Sequence, residues 1–277
     1  KSLIYRLLRK GNIRVNKKRS KPDKKLDIGD NIYVPSLRMS EEKKIEITAD
    51  FVSRIKSCVL YEDDYILIIN KPVGVAVHCG SGVDFGVIEA MKEVVGENGF
   101  IELIHRLDRA TSGCLVLAKK SSVLKQLNNM LANGEIKKTY HAVVEGRWPK
   151  AKHKVDLPLL KRESGIKNGK QVCVDLKSGK QSLTTVSVLK NFGDKYTLLS
   201  LHPKTGRTHQ LRVHTSVSGH PIVGDQRYNE NKKLDTKAFS SRMFLHAYKI
   251  KFTHPKTNEI INITAPYDDK FSVIVNS

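Results

Sequence analysis

Nine consecutive residues, HRLDRATSG at 105–113, hold the densest group of reactive side chains in the chain. His105, Arg106, Asp108, Arg109, Thr111 and Ser112 crowd one turn just ahead of the strand-like run LVLAKK. A lone Asp-Arg pair is ordinarily a surface ion-pair turn, worth little. Six polar groups in nine residues exceed what such a turn needs. An aspartate with arginines on either side suits an anionic nucleophile for covalent or acid–base chemistry. Other chemistries are thinner. His209, His214 and His220 invite a metal reading, yet His209 and His214 are spaced one residue beyond the i, i+4 pair that shares a helix face, so no metal site is expected. GSG at 80–82 lacks the spacing and strand-to-helix context of a hydrolase nucleophile elbow, and neither GxGxxG nor GxxxxGK[ST] occurs.

Elements must hold that turn in place, and the flanking sequence supplies them. VLYEDDYILIINKP reads as two strands around an EDD turn, closed by Pro72 and Gly74. SSVLKQLNNMLANG specifies a short helix, with Ser121 or Ser122 as N-cap, Leu124, Leu127 and Leu131 on one face and Gly134 as its stop. Strands follow in TYHAVVEG, QVCVDL, LTTVSVL, YTLLSLHP and MFLHAYKIKF. HQLRVHTSV reads as a helix with Leu211, Val213 and Val217 apolar and Arg212 free to point at Asp108. Many strands with few helices in irregular order indicate an α+β domain on a large mixed, mainly antiparallel sheet.

The ends of the chain differ in charge. Lys and Arg number 49 against 28 Asp and Glu, a net +21 over 277 residues. Residues 1–38 hold twelve Lys and Arg against three Asp and Glu, so a surplus of nine sits in the first seventh of the chain. A polyanion, and nucleic acid above all, is the partner such a surface suits. Aromatic content of 6% argues against holding single strands mainly by base stacking. Four scattered cysteines without a CxxC pair argue against a zinc knuckle or a disulfide framework. No run approaches the roughly 18 to 20 apolar residues of a membrane span, and the start KSLIYRLLRK lacks a signal peptide's apolar core. A cytoplasmic protein is expected.

Within 1–38, Leu3, Ile4, Leu7 and Leu8 repeat at helical spacing, Gly11 is a C-cap candidate, and IRVN and DNIYVP read as short strands. This segment resembles the S-four-type RNA-binding domain, lacking that family's first helix and so expected to be truncated. Residues 39–57 are expected to be a linker and 58–277 the catalytic domain.

HRLDxxTSG resembles the signature of the RluA-type pseudouridine synthases. KKTYHAVVEG (137–146), HPKTGRTHQLRVHTSVSGHPIVGD (202–225), INKPVGVAVH (69–78) and LHAYKIKFTHP (245–255) are similar to further family motifs, in the right order. The resemblance implies a pseudouridine synthase fold and a cofactor-independent isomerase. Its nucleophile would be Asp108, with Tyr140 facing the target base as candidate proton acceptor and Arg212 pairing with the carboxylate. Arg106 would manage the flipped-out nucleotide, and Arg109, Arg207 and His209 would join it on RNA. Arg6, Arg9, Lys10, Arg14, Lys17, Lys18 and Arg19 would contact RNA from the N-terminal domain. HCGSGVDFGVIEAM (78–91) resembles the loop of a branch acting at three uridines of 23S ribosomal RNA, with Cys79 and Asp84 departing from its pattern. That points to large-subunit RNA or its assembly intermediates as partner, and to a monomer.

Overall fold

The computed structural model describes residues 2–36, 47–80, 83–163, 170–229 and 242–277. Ser81 and Gly82 of the 78–91 motif, and residues 37–46 of the expected first domain and linker, lie outside the described residues. The chain divides into two compact units, 1–45 and 46–277.

The first unit is a helix and a small sheet. α1 (Ser2–Lys10) ends at Gly11, whose φ of 72° is the left-handed conformation that a glycine cap supplies. β1 (Arg14–Val15) pairs antiparallel with both β2 (Lys18–Arg19) and β3 (Ile32–Tyr33). Leu7, Ile13 and Val15 are buried, while Ile4 and the basic residues named above are exposed.

The second unit opens with α2 (Ala49–Lys56), capped by the Thr48 hydroxyl accepting from the Phe51 amide. Ile55 of this helix is fully buried in a core cluster and Phe51 packs edge-on against Phe85. Packing of this unit therefore begins within the segment read as a linker. β4 (Val59–Glu62) and β5 (Ile66–Lys71) form a hairpin in which Asp63 accepts from the amides of Tyr65 and Ile66, the EDD turn of the sequence. α3 (Val87–Val95) and β6 (Glu102–Leu103) precede β7 (Ser112–Ala118). α4 (Ser121–Ala132) follows, then β8 (Lys137–Glu145), β9 (Lys154–Asp156), β10 (Leu159–Glu163), β11 (Lys170–Val174), β12 (Leu183–Phe192) and β13 (Tyr196–Pro203). α5 (Gln210–Val217), β14 (Leu245–Thr253), β15 (Ile260–Thr264) and α6 (Asp269–Asn276) complete the unit.

Ten strands form one sheet, in the order β4-β5-β7-β14-β8-β13-β12-β9, with β15 on β14 and β6 on β7. β14 runs parallel to β7, and the other pairings are antiparallel. β10 and β11 form a separate hairpin.

Side-chain alternation divides two layers of core. Leu67, Ile69, Leu115 and Leu117 face the cluster that α2 and α3 cover, whereas Ile66, Ile68, Val116 and Ala118 face the one covered by Val123 and Leu127 of α4. With both faces covered, β5 and β7 read as continuous apolar runs. No described helix is long and apolar enough to cross a membrane.

Three local expectations need correction. The residue capping α4 is Lys120, extended and without a side-chain cap bond, so Ser121 is the first helical residue. β7 runs through Lys119 almost directly into the helix, leaving no turn for a serine cap. Val217 is half exposed at the end of α5, because that helix turns only its first six residues inward. The third, the partners of Arg106 and Arg109, concerns the site.

Candidate active site

The HRLDRATSG turn is anchored at both ends by β7. The Val116 amide donates to His105 Nε2 at 3.2 Å, and the Ile104 amide donates to the Val116 carbonyl. Burial drives the His105 pKa down to about 3, so the ring is neutral and able to accept. The Thr111 amide closes the turn on the Asp108 carbonyl, and Leu107 is buried between them. Gly113 explains the last letter of TSG. Its φ is 108°, and a Cβ there would lie 2.3 Å from the Ala247 carbonyl oxygen, so only glycine lets β14 pass this close. Asp108 is left half-buried on the floor of a cleft of about 1000 Å³, with Tyr140 and Arg212 also lining it.

The sequence places two arginines beside Asp108, but neither pairs with it. Neighbours in a turn point to different sides: Arg106 donates to Thr208 Oγ1 at 3.1 Å and Arg109 to the Gly74 carbonyl at 2.8 Å. The positive charge comes from 104 residues away. Arg212 Nη1 donates to Asp108 Oδ2 at 2.9 Å, while its Nε and Nη2 grip Asp225 at 2.7 and 2.8 Å. Burial works against the guanidinium's charge, but the bonds and charge of Asp225, then of Asp108, outweigh it and raise its pKa. Asp225, fully buried at its side chain, also accepts from the amides of Arg227 and Tyr228. One carboxylate thus fixes the arginine, and the arginine aims at the other, in the two-point geometry a guanidinium favours.

His209 stands at the head of α5 in a left-handed conformation, φ 52°. Its Nδ1 shares a hydrogen bond with the Tyr228 hydroxyl at 2.7 Å, and its Nε2 is 3.8 Å from Asp108 Oδ1. Burial depresses the ring pKa to about 4 despite the Asp108 charge, so this contact is not an ion pair at neutral pH. His214 and His220 are spent on structure, bonding Ser182, Thr184 and the Leu157 and Glu145 carbonyls. Among the described residues no three His, Cys, Asp or Glu converge as for a metal.

Tyr140 lies on β8 opposite Leu201 of β13, packed against two core clusters. Burial, then the Asp108 charge, push its phenol well above the ordinary tyrosine range. A phenol so raised works against Tyr140 accepting a proton in the free protein, and favours the neutral hydroxyl. Arg207 is exposed at the rim, donating to the Gln181 carbonyl. Arg106, Arg109 and His209 also border a second cavity of about 270 Å³ beside Asp108. The seven basic residues of 6–19 belong to the other unit.

Sequence reasoning missed two members. Asp225 is the last letter of the GHPIVGD run, an acid 13 residues from Arg212 that spacing alone does not connect. Lys71, in INKP, is fully buried with Nζ donating to the carbonyls of Pro72, Val75 and Arg109. Desolvation lowers it to about 7, partly countered by Asp108. It laces the 72–75 turn to the HRLDRATSG turn.

A profile described as RNA pseudouridylate synthase matches residues 65–217, which include Asp108, Tyr140 and Arg212. The chain belongs to the RNA pseudouridylate synthase family. It is therefore a pseudouridine synthase, an isomerase. It is 44% identical over 282 residues to the ribosomal large subunit pseudouridine synthase C of Pasteurella multocida, covering 100% of this chain and 85% of the relative. The protein of that name from Escherichia coli O157:H7 is 45% identical over 97% of this chain and 85% of its own length. Human RNA pseudouridylate synthase domain containing 1 superposes with a TM-score of 0.61 at 28% identity, over 76% of this chain and 82% of the human one. The fold is thus that of the pseudouridine synthases, as the sequence motifs implied.

Proposed function

We propose that this chain isomerises uridines of 23S ribosomal RNA, at three positions, with Asp108 as nucleophile. The observation that supports the chemistry is the Asp108 carboxylate on the cleft floor, aimed by an arginine that is itself clamped by Asp225. The substrate assignment rests on the names of the relatives and the similarity of the 78–91 loop.

Pseudouridine has the same atoms as uridine. The bond from ribose C1′ to base N1 breaks, one from C1′ to C5 forms, C5 loses a proton and N1 gains one. No redox equivalent or co-substrate enters that balance. Asp108 either adds to C1′ or to the base, or assists elimination to a glycal. The Arg212 guanidinium keeps the carboxylate oriented through each step. A uridine within structured RNA must leave its stack to reach the cleft, an unstacking cost of a few kcal/mol. Arg106 and Arg109, exposed beside Asp108, meet the displaced strand or its phosphates, and Arg207 and His209 border the same entrance. Tyr140 faces the base with a neutral hydroxyl. The N-terminal unit acts as an S-four-like RNA-binding domain, presenting Arg6, Arg9, Lys10, Arg14, Lys17, Lys18 and Arg19 to RNA in the cytoplasm.

Carbodiimide mapping of 23S RNA from cells lacking the gene tests the assignment. Loss of stops at three positions is expected. Unchanged 23S stops, with stops lost from transfer RNA, would overturn it.

A further inference from the structure

We propose that Lys138 binds one phosphodiester of the RNA, next to the nucleotide that Tyr140 faces; the inference rests on the RNA-modifying role proposed above. Lys138 and Tyr140 are two residues apart on β8, so their side chains leave the same face of the sheet. Both line the cleft that holds Asp108. The Lys138 ammonium reaches across it: a Cβ built on Gly206, in the loop after β13, would lie 3.9 Å from Nζ.

The other buried cations of this unit are satisfied from within. Lys71 has three carbonyls, Arg212 has Asp108 and Asp225, and Arg242 has Asp268 and the Ser112 hydroxyl. Lys138 is half-buried with no carboxylate or hydrogen-bond acceptor among the described residues. Burial lowers its pKa and no neighbouring charge opposes that. His105, close by, is neutral and supplies no counter-charge. A partly desolvated cation without a partner is a net cost to the fold, and an apolar residue of similar length would be cheaper. Placed in a cleft that receives a polyanion, the cost is recovered when a phosphate arrives. Exposed Lys137 and Lys204 at the same rim add to the attraction without fixing a position.

The test uses the full chain with Lys138→Met, Lys138→Gln and Lys138→Arg, measuring filter binding to a 23S transcript and to oligouridylate across a potassium chloride series. Losing one phosphate contact should lower the magnitude of the log K versus log salt slope by about 0.7 to 0.9 for Met and Gln, on both RNAs. Affinity should fall on the order of 10-fold at ~0.1 M salt, and Arg should restore the wild-type slope. The melting temperature of Lys138→Met should equal or exceed wild type. A wild-type slope in Met and Gln, or a lowered melting temperature that Arg does not rescue, would overturn the proposal. Binding is read without turnover. Failure of the 23S transcript to be isomerised would remove the substrate assignment and leave the Lys138 site standing.

Discussion

Asp225→Asn tests whether the arginine clamp, and not the turn alone, makes Asp108 competent. The substitution keeps the size of the side chain. One oxygen becomes an NH2 group, which cannot accept from Arg212 and opposes one of its donors. The side chain is fully buried, and Arg212 is left with Asp108 as its remaining counter-charge. Removing one partner of a buried pair costs about 3–5 kcal/mol, and the surviving Asp108 contact places this case near 3. At about 2–4 °C per kcal/mol for a chain of this size, the melting temperature should fall by roughly 6–12 °C. Arg212, gripped on one side only, can then drift by the order of an ångström, enough to cost about 10²-fold in rate. Circular dichroism gives the melt, and tritium release from RNA labelled at uridine carbon 5 gives kcat and KM. The loss should fall on kcat, with KM little changed, because Asp225 touches no substrate. Wild-type melting and wild-type kcat together would refute the clamp.

Other perturbations follow from single observations. Gly113→Ala would drive a methyl to 2.3 Å from the Ala247 carbonyl at a φ of 108°, so it should unfold or lower the melt by more than any surface change, as heating curves would show. Tyr140→Phe should leave RNA affinity within a few-fold while reducing single-turnover isomerisation. With the phenol pushed up, wild-type rates should show no tyrosine ionisation between pH 6 and 9. His141, His209 and His246 have pKa values lowered to about 4 by burial, below their unfolded value of about 6.5. The unfolded chain then takes up protons first, so their contribution is complete above pH ~6.5 and is lost as pH falls toward 4. Unfolding free energies from urea titrations at pH 7.0 and 5.5 should differ by roughly 1 kcal/mol for each such histidine. Arg106→Ala and Arg109→Ala should each flatten the salt dependence of RNA binding by about one contact while the melt stays put.

What was legible in the sequence divides along a physical line. Asp108 stands in a local string whose composition already departs from what folding needs, Tyr140 and Arg212 were legible through the resemblance of their strings to family motifs, and the structure brings all three to one cleft. The strands around them announced themselves as short apolar runs bounded by turn residues. The pairing of Arg212 with Asp108, expected from the motif resemblance, is present, whereas Arg106 and Arg109, adjacent in the turn, go instead to Thr208 and Gly74; other interactions that close only across the sheet left no local trace. Asp225 was one acid at the end of a loop until the fold set it against Arg212. Gly113 is similar, since its need arises from Ala247, 134 residues further along the chain. α3 carried four buried residues but was masked in the sequence by the loop motif it overlaps. The α4 cap failed for a local reason, a strand entering the helix without a turn.

Asp108→Asn in the full chain, assayed for pseudouridine in a 23S transcript under single-turnover conditions, bears most directly on the central claim. Isomerisation should be abolished while filter binding of the same RNA stays within about 3-fold of wild type, since one carboxylate contributes little to phosphate affinity. Pseudouridine formed at the wild-type rate by Asp108→Asn would contradict the claim.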